Sequence, residues 1–219
     1  MVNKSTGINP KDEREEFGYI LEVLRKQLLS VSTCIYIYEQ LFPTEKVVDI
    51  INRYKGFFRP TRDALIDSLV IRVSTILSSQ PTAPSFYCVL NMIGKNPCLA
   101  PSIDVHEIKK RLRKHMKTLK AIEDFRNKRV AHWDTSVEDE EVGKPLLLNT
   151  KRMLEELEAI FNEISTSHSN NEWSFRYGQQ GDTISLLDAL KWKQAYDKKL
   201  IEYWQSKIDH ESEGQNCCE

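Results

Sequence analysis

One stretch of this chain constrains its fold more than any other. Val105, Ile108, Leu112, His115, Leu119, Ile122, Arg126, Arg129 and Trp133 follow one another at alternating steps of three and four. That spacing places all nine on one face of an α-helix. The stretch reads as the longest helix of the chain, capped by Ser102, with Asp104 in its positive first turn. The first half of the seam is apolar apart from His115. The second half puts two arginines where core residues belong. A guanidinium is costly to desolvate unless it is paired. Near Arg126 the seam therefore leaves the core, meets anions, or faces a partner chain.

The other punctuation agrees with an all-α chain. Only eight glycines and eight prolines occur in 219 residues. A periodic segment from about Lys11 to Phe42 is stopped by Pro43. Thr44 caps a short helix that Gly56 closes, and Pro60 starts the next, with Leu65, Ile66, Leu69, Val73, Ile76 and Leu77 inward. Pro84 starts a short apolar helix ended by Gly94. The acidic run Glu138 to Glu141, with Gly143, reads as a solvated loop. Thr150 then caps a helix burying Leu154, Leu157, Phe161 and Ile164. Residues Ser165 to Gly181 read as a short strand or ordered loop, and a last helix covers about Thr183 to Ile208. The expected architecture is an antiparallel helical bundle, with a flexible N-terminus over 1–14, one domain over 15–209, and a disordered polar tail over 210–219.

Thirty-one Lys and Arg against 32 Asp and Glu leave the chain near neutrality, so any nucleic-acid argument needs local clustering. One cluster exists. Lys109, Lys110, Arg111, Arg113, Lys114, Lys117 and Lys120 lie together without an acid, as a phosphate-tracking patch or a solvated helix face. The five cysteines form no Cys-x-x-Cys pair, and no zinc spacing, P-loop, dinucleotide glycine motif or nucleophile elbow is present. No cofactor or metal is expected. Neither an ~18-residue apolar run nor a signal-peptide core is seen, so no membrane association and a cytoplasmic location are expected.

The end of the seam helix carries the chemistry. Arg126 offers a planar, permanently charged fork for a phosphate. His132 exchanges a proton near neutral pH, and the Asn127 amide orients either. RNA is cleaved by its own 2′-hydroxyl when a base, an acid and positive charge on the phosphorane are supplied. Against this stands a plainer reading: Arg126 salt-bridged to Glu123 or Asp124, and His132 at the negative end of the helix dipole. Geometry adds an obstacle. Residues six apart sit about 120° from each other on a straight helix. Either the long arginine reaches round, or the helix distorts near Ala131, or a two-fold partner completes the cleft. Arg129 is either a further phosphate contact or an interface residue. Arg72 is expected to pair with Asp67 or another acid. His115 is expected to be a satisfied core or interface histidine, and Trp133, Trp192 and Trp204 core or interface anchors. Trp173, in a polar stretch, stays open.

Arg126, Asn127, the spacer Lys128-Arg129-Val130-Ala131 and His132 resemble the signature of the HEPN superfamily, the higher eukaryotes and prokaryotes nucleotide-binding domain. The wider string Phe125 to Asp134, and the segment Asp63 to Leu77, are similar to its AbiU-like branch, associated with abortive phage infection. The likeness in element order runs from about residue 15 to 165. The resemblance implies a helical bundle that pairs through the motif helix as a homodimer. It further implies RNA as substrate or ligand, and an antitoxin protein as a possible partner. It implies a metal-independent endoribonuclease or toxin in antiviral defence, with Arg126 on the scissile phosphate, His132 in proton transfer and Asn127 orienting them. Arg129, Lys117, Lys120 and Arg113 would bind the RNA backbone. Other members have lost cleavage, and the alternative is a non-catalytic dimerisation or nucleotide/RNA-binding module.

Overall fold

A computed structural model describes residues 10–42, 45–80, 82–131, 139–175 and 180–215, and it is entirely helical among them, without strands. Thr44, His132 and Trp133 lie outside the described residues, as do the side chains of Arg129 and of residues 139–146.

Helix α1 (Pro10–Leu41) is the central element. Pro10 stands at its first position and Asp12 and Glu13 in its first turn, where a missing N–H and negative charge are both favourable. Its apolar residues Phe17, Leu21, Leu24, Leu28, Val31 and Ile35 are buried at helical spacing. Helix α3 (Lys55–Ile76), α4 (Phe86–Lys95) and α7 (Asp139–Ser169) pack around it. Leu69, Val73, Ile76 and Leu77 of the expected α3 face are buried, and Leu65 and Ile66 pack at its edge. A smaller cluster of Leu41, Val47, Ile50, Phe58 and Leu187 joins α1 and α3 to α2 (Glu45–Arg53) and α8 (Gln180–Gln215).

Several expected boundaries move, each for a local reason. Gly56 does not close α2, and Pro60 does not open α3. Tyr54 alone separates the two helices, and its carbonyl accepts from the N–H groups of Phe57 and Phe58 at 2.9 and 3.1 Å. Phe58 is fully buried, which draws the chain into helix one turn before Pro60. Ser85 caps α4 by accepting from the Cys88 N–H. Thr150 caps nothing: it is fully buried in the middle of α7, which starts at Asp139 within the acidic run expected to be a loop. Carboxylates in the first turn of a helix complement its dipole. Asn170, with φ of 57°, ends α7 in the left-handed conformation that asparagine tolerates. Residues 171–175 then run irregularly, and α8 continues through Gln215.

Gly18 lies inside α1 with room beside it. A Cβ there would meet only His168 Nε2, at an ordinary contact distance of 3.8 Å. Gly18→Ala is expected to stabilise the fold by about 1 kcal/mol through helix propensity. Thermal unfolding checks this, with a rise in Tm of roughly 2–4 °C.

Candidate nucleic-acid interface on helix α6

The seam helix is not continuous. It divides into α5 (Val105–Arg113) and α6 (Met116–Ala131). Asp104, not Ser102, is the cap of α5, accepting from the His106 and Glu107 N–H groups at 2.8 and 3.1 Å. The Ser102 N–H instead donates to Ser167 Oγ. At the break, Lys114 and His115 donate to carbonyls three residues back, a tighter turn than the α-helical one. The seam survives it: Ile108, Leu112, Leu119 and Ile122 are all buried. Beyond Ile122 the next seam residue, Arg126, is only half-buried, and Phe125 takes the last core contact. The seam thus leaves the core at Arg126.

Arg126 donates to the Asn127 amide oxygen from Nη2 at 3.2 Å and from Nε at 3.4 Å. Among the described residues it meets no carboxylate, so the expected pairing with Glu123 or Asp124 is not formed. Its charge is held by a neutral acceptor. The backbone of α6 is α-helical through Ala131, and His132 lies outside the described residues.

Lys117, Lys120 and Arg113 are exposed, but they do not converge on Arg126. At 100° per residue, Lys117 lies about 180° and Lys120 about 120° from Arg126 around α6. The lysines occupy the outer face and Arg126 the line continuing the core face. Arg111, counted in the basic patch from sequence, turns towards α7, its side chain 19% exposed. Its Nε bonds Glu156 at 2.6 Å, and Nη1 bonds both Glu163 oxygens at 2.7 and 2.8 Å. Burial opposes its charge, yet the hydrogen bonds it donates to Glu156 and Glu163 outweigh this and hold its pKa above the ordinary range. Lys110 pairs with Glu107. Arg72 meets neutral partners in place of an acid, donating to Ser68 Oγ and Gln27 Oε1.

His115 sits half-buried in the α5–α6 turn. Burial lowers its pKa, with a further contribution from Lys114, against an opposing one from Glu156. The folded chain therefore binds this proton less readily than the unfolded chain. Its stabilising contribution is present above the ordinary imidazole pKa and is lost as pH falls through the folded value. Urea unfolding midpoints are expected to decline from neutrality towards about pH 5, and His115→Gln is expected to flatten that decline.

A cavity of about 160 Å³ lies between α1, the end of α7 and residues 171–173, lined by Gly18, Arg25, Phe161, His168 and Trp173 among others. The Arg25 guanidinium stacks 4.5 Å from the Trp173 ring centroid and grips Glu22, whose carboxyl falls to about 2 through that hydrogen bond. Trp173 Nε1 donates to Ser165 Oγ. His168 is tied up, its Nδ1 donating to the Leu99 carbonyl at 2.8 Å. The alternation of Trp173 with Phe175 was the only sequence signal of this corner. Among the described residues, no group of three or more His, Cys, Asp and Glu is placed to hold a metal ion, and no helix is long and apolar enough to cross a membrane.

Residues 14–183 match the family model described as AbiU2, of the HEPN class. No curated protein and no solved structure matches the chain.

Proposed function

We propose a function from one premise: the chain belongs to the AbiU2 family of HEPN domains. The reading is an endoribonuclease or toxin of abortive phage infection that cleaves RNA by attack of its own 2′-hydroxyl. The observation that carries it is the Arg126–Asn127 contact. A guanidinium steadied by a neutral amide keeps its full charge for the non-bridging oxygens of a phosphate. His132, six residues on, supplies proton transfer. The 2′-oxygen loses its proton and bonds phosphorus, the bond to the 5′-oxygen breaks, and that oxygen leaves with a proton. The products are a 2′,3′-cyclic phosphate and a 5′-hydroxyl. Arg, Asn and His supply this chemistry without calling on a metal ion. A homodimer through α6, each copy lending its Arg126 or His132 to a shared cleft, answers the angular offset. Arg129 adds charge there, whereas Arg113, Lys117 and Lys120 on the outer face bind RNA outside the cleft.

End-labelled RNA incubated with the protein in excess chelator tests this. Cyclic-phosphate ends, lost in both Arg126→Ala and His132→Ala, are expected. RNA left intact by the wild type, alone and with a cell extract from infected bacteria, counts against it. One observation favours a second reading. Exposed Lys117 and Lys120 lie about 180° and 120° around α6 from Arg126, so these cations do not gather at one cleft, as suits a non-catalytic dimerisation or nucleotide-binding module. Retained RNA affinity without cleavage would identify that module.

A further inference from the structure

Helix α8 is 36 residues long, and residues 198–208 of its second half are exposed, with nothing beneath them among the described residues. Its first half docks on α1 and α2. Leu187 is buried there, Leu190 packs beside it, and Asp197 takes the Arg53 guanidinium at 3.0 Å. Leu187, Leu190, Gln194 and Asp197 are spaced three, four and three apart. The same stripe continues without a change of phase as Ile201, Trp204 and Ile208. A stripe of that period is what one helix presents to another along a shared seam. Yet residues 198–208 are all exposed.

The apolar face there is broad. Tyr196, Leu200, Ile201, Tyr203, Trp204 and Ile208 are each between 41% and 66% exposed. Around the helix they lie within an arc of about 160°, which also holds Asp197, paired with Arg53, and Lys207, whose ammonium stands over the Trp204 ring at 5.5 Å, while Lys198, Lys199, Glu202, Gln205 and Ser206 fill the other side. Together the six expose on the order of 700 Å². That exceeds the roughly 300–600 Å² patch a typical monomer shows, and it approaches the roughly 800 Å² per partner of a stable protein–protein interface. Tyr and Trp at its centre are the residue types that anchor such interfaces.

We infer that this face of α8 binds the α8 face of a second copy of the chain. Charge argues for a like partner. Over residues 196–209, Lys198, Lys199 and Lys207 are matched by Asp197, Glu202 and Asp209, so two copies approach without net repulsion. The same balance argues against a lipid surface, since helices that lie on anionic membranes carry a basic polar face. The family match ends at residue 183, so this contact lies outside the matched domain and is separate from pairing through α6. It does not depend on whether the chain cleaves RNA.

Sedimentation of the full chain across a concentration series tests it. The wild type is expected to reach twice the monomer mass through α8 alone, and more than twice where α6 pairs as well. Ile201→Glu with Trp204→Glu is expected to weaken association by at least about 100-fold with helical content unchanged, because both positions are outside the core. Ile208→Ser repeats the test without adding charge and is expected to give a smaller loss of the same sign. Three results overturn the inference: a wild type at monomer mass throughout, association that these substitutions leave unaltered, or a monomer that instead floats with phosphatidylcholine–phosphatidylglycerol vesicles.

Discussion

Arg126→Ala is expected to slow RNA cleavage by about 10²–10³-fold, the usual loss when one preorganised donor to a transition-state oxyanion is removed. His132→Ala is expected to cost about 10²–10⁴-fold through lost proton transfer. The two losses should not multiply, because in the proposed reaction both groups act on one phosphorane. Arg126→Lys should rescue little. An ammonium keeps the charge but not the two-pronged geometry, and it cannot reproduce both bonds to Asn127. Asn127→Ala should cost about tenfold, the worth of a hydrogen bond that positions rather than reacts. Arg126 lies where the seam has already left the core and Asn127 is exposed, so variants at these two positions should not change helical content. The measurement is single-turnover cleavage of labelled RNA. A rate that survives both alanine substitutions would remove these residues from the reaction.

What was legible in the sequence is whatever repeats along a helix. The inward faces of α1 and α3, the seam of α5 and α6, and the α7 residues Leu154, Leu157, Phe161 and Ile164 follow from spacing alone, because burial has to recur every three to four residues. Punctuation was less reliable. Pro60, Gly56 and Thr150 are boundary residues by local preference, but Phe58 and Thr150 are fully buried, and tertiary packing carried the helices through them. The break at Lys114 and His115 leaves no mark on the pattern, because the turn there preserves the phase of the seam. The site shows the same division. Arg126 and Asn127 are adjacent and could be read as a pair. Arg111 looked like one more member of a basic patch, because its partners Glu156 and Glu163 are 45 and 52 residues away. No local pattern contains that information, and removing Arg111 from the patch changes which cations are free to meet a phosphate.

Phe161→Ala is expected to be among the most destabilising single substitutions in the chain, at about 3–5 kcal/mol. The side chain is 1% exposed and sits among the inward residues of α7. Its ring meets Phe175 edge to face at 5.6 Å. It also forms one wall of the cavity beside Gly18 and Trp173. Deleting it therefore removes three things together: the transfer of a large apolar surface, an aromatic pair worth about 1 kcal/mol, and the partition between the new void and an existing one. A merged void collapses less readily than an isolated one, which favours the upper part of the range. The corner it supports would loosen too. Residues 171–175 are held to α7 by Asn162, which bonds both the N–H and the carbonyl of Trp173 at 2.9 Å, and by Phe175 on Phe161. Without the aromatic contact, those amides should exchange faster than the rest of the fold. Urea unfolding should show a lower midpoint at unchanged slope, with Tm down by roughly 10 °C or more. Phe161→Leu keeps most of the volume and should recover more than half of the loss. A stability loss of less than about 1 kcal/mol for the alanine variant would mean that α7 does not pack through this residue.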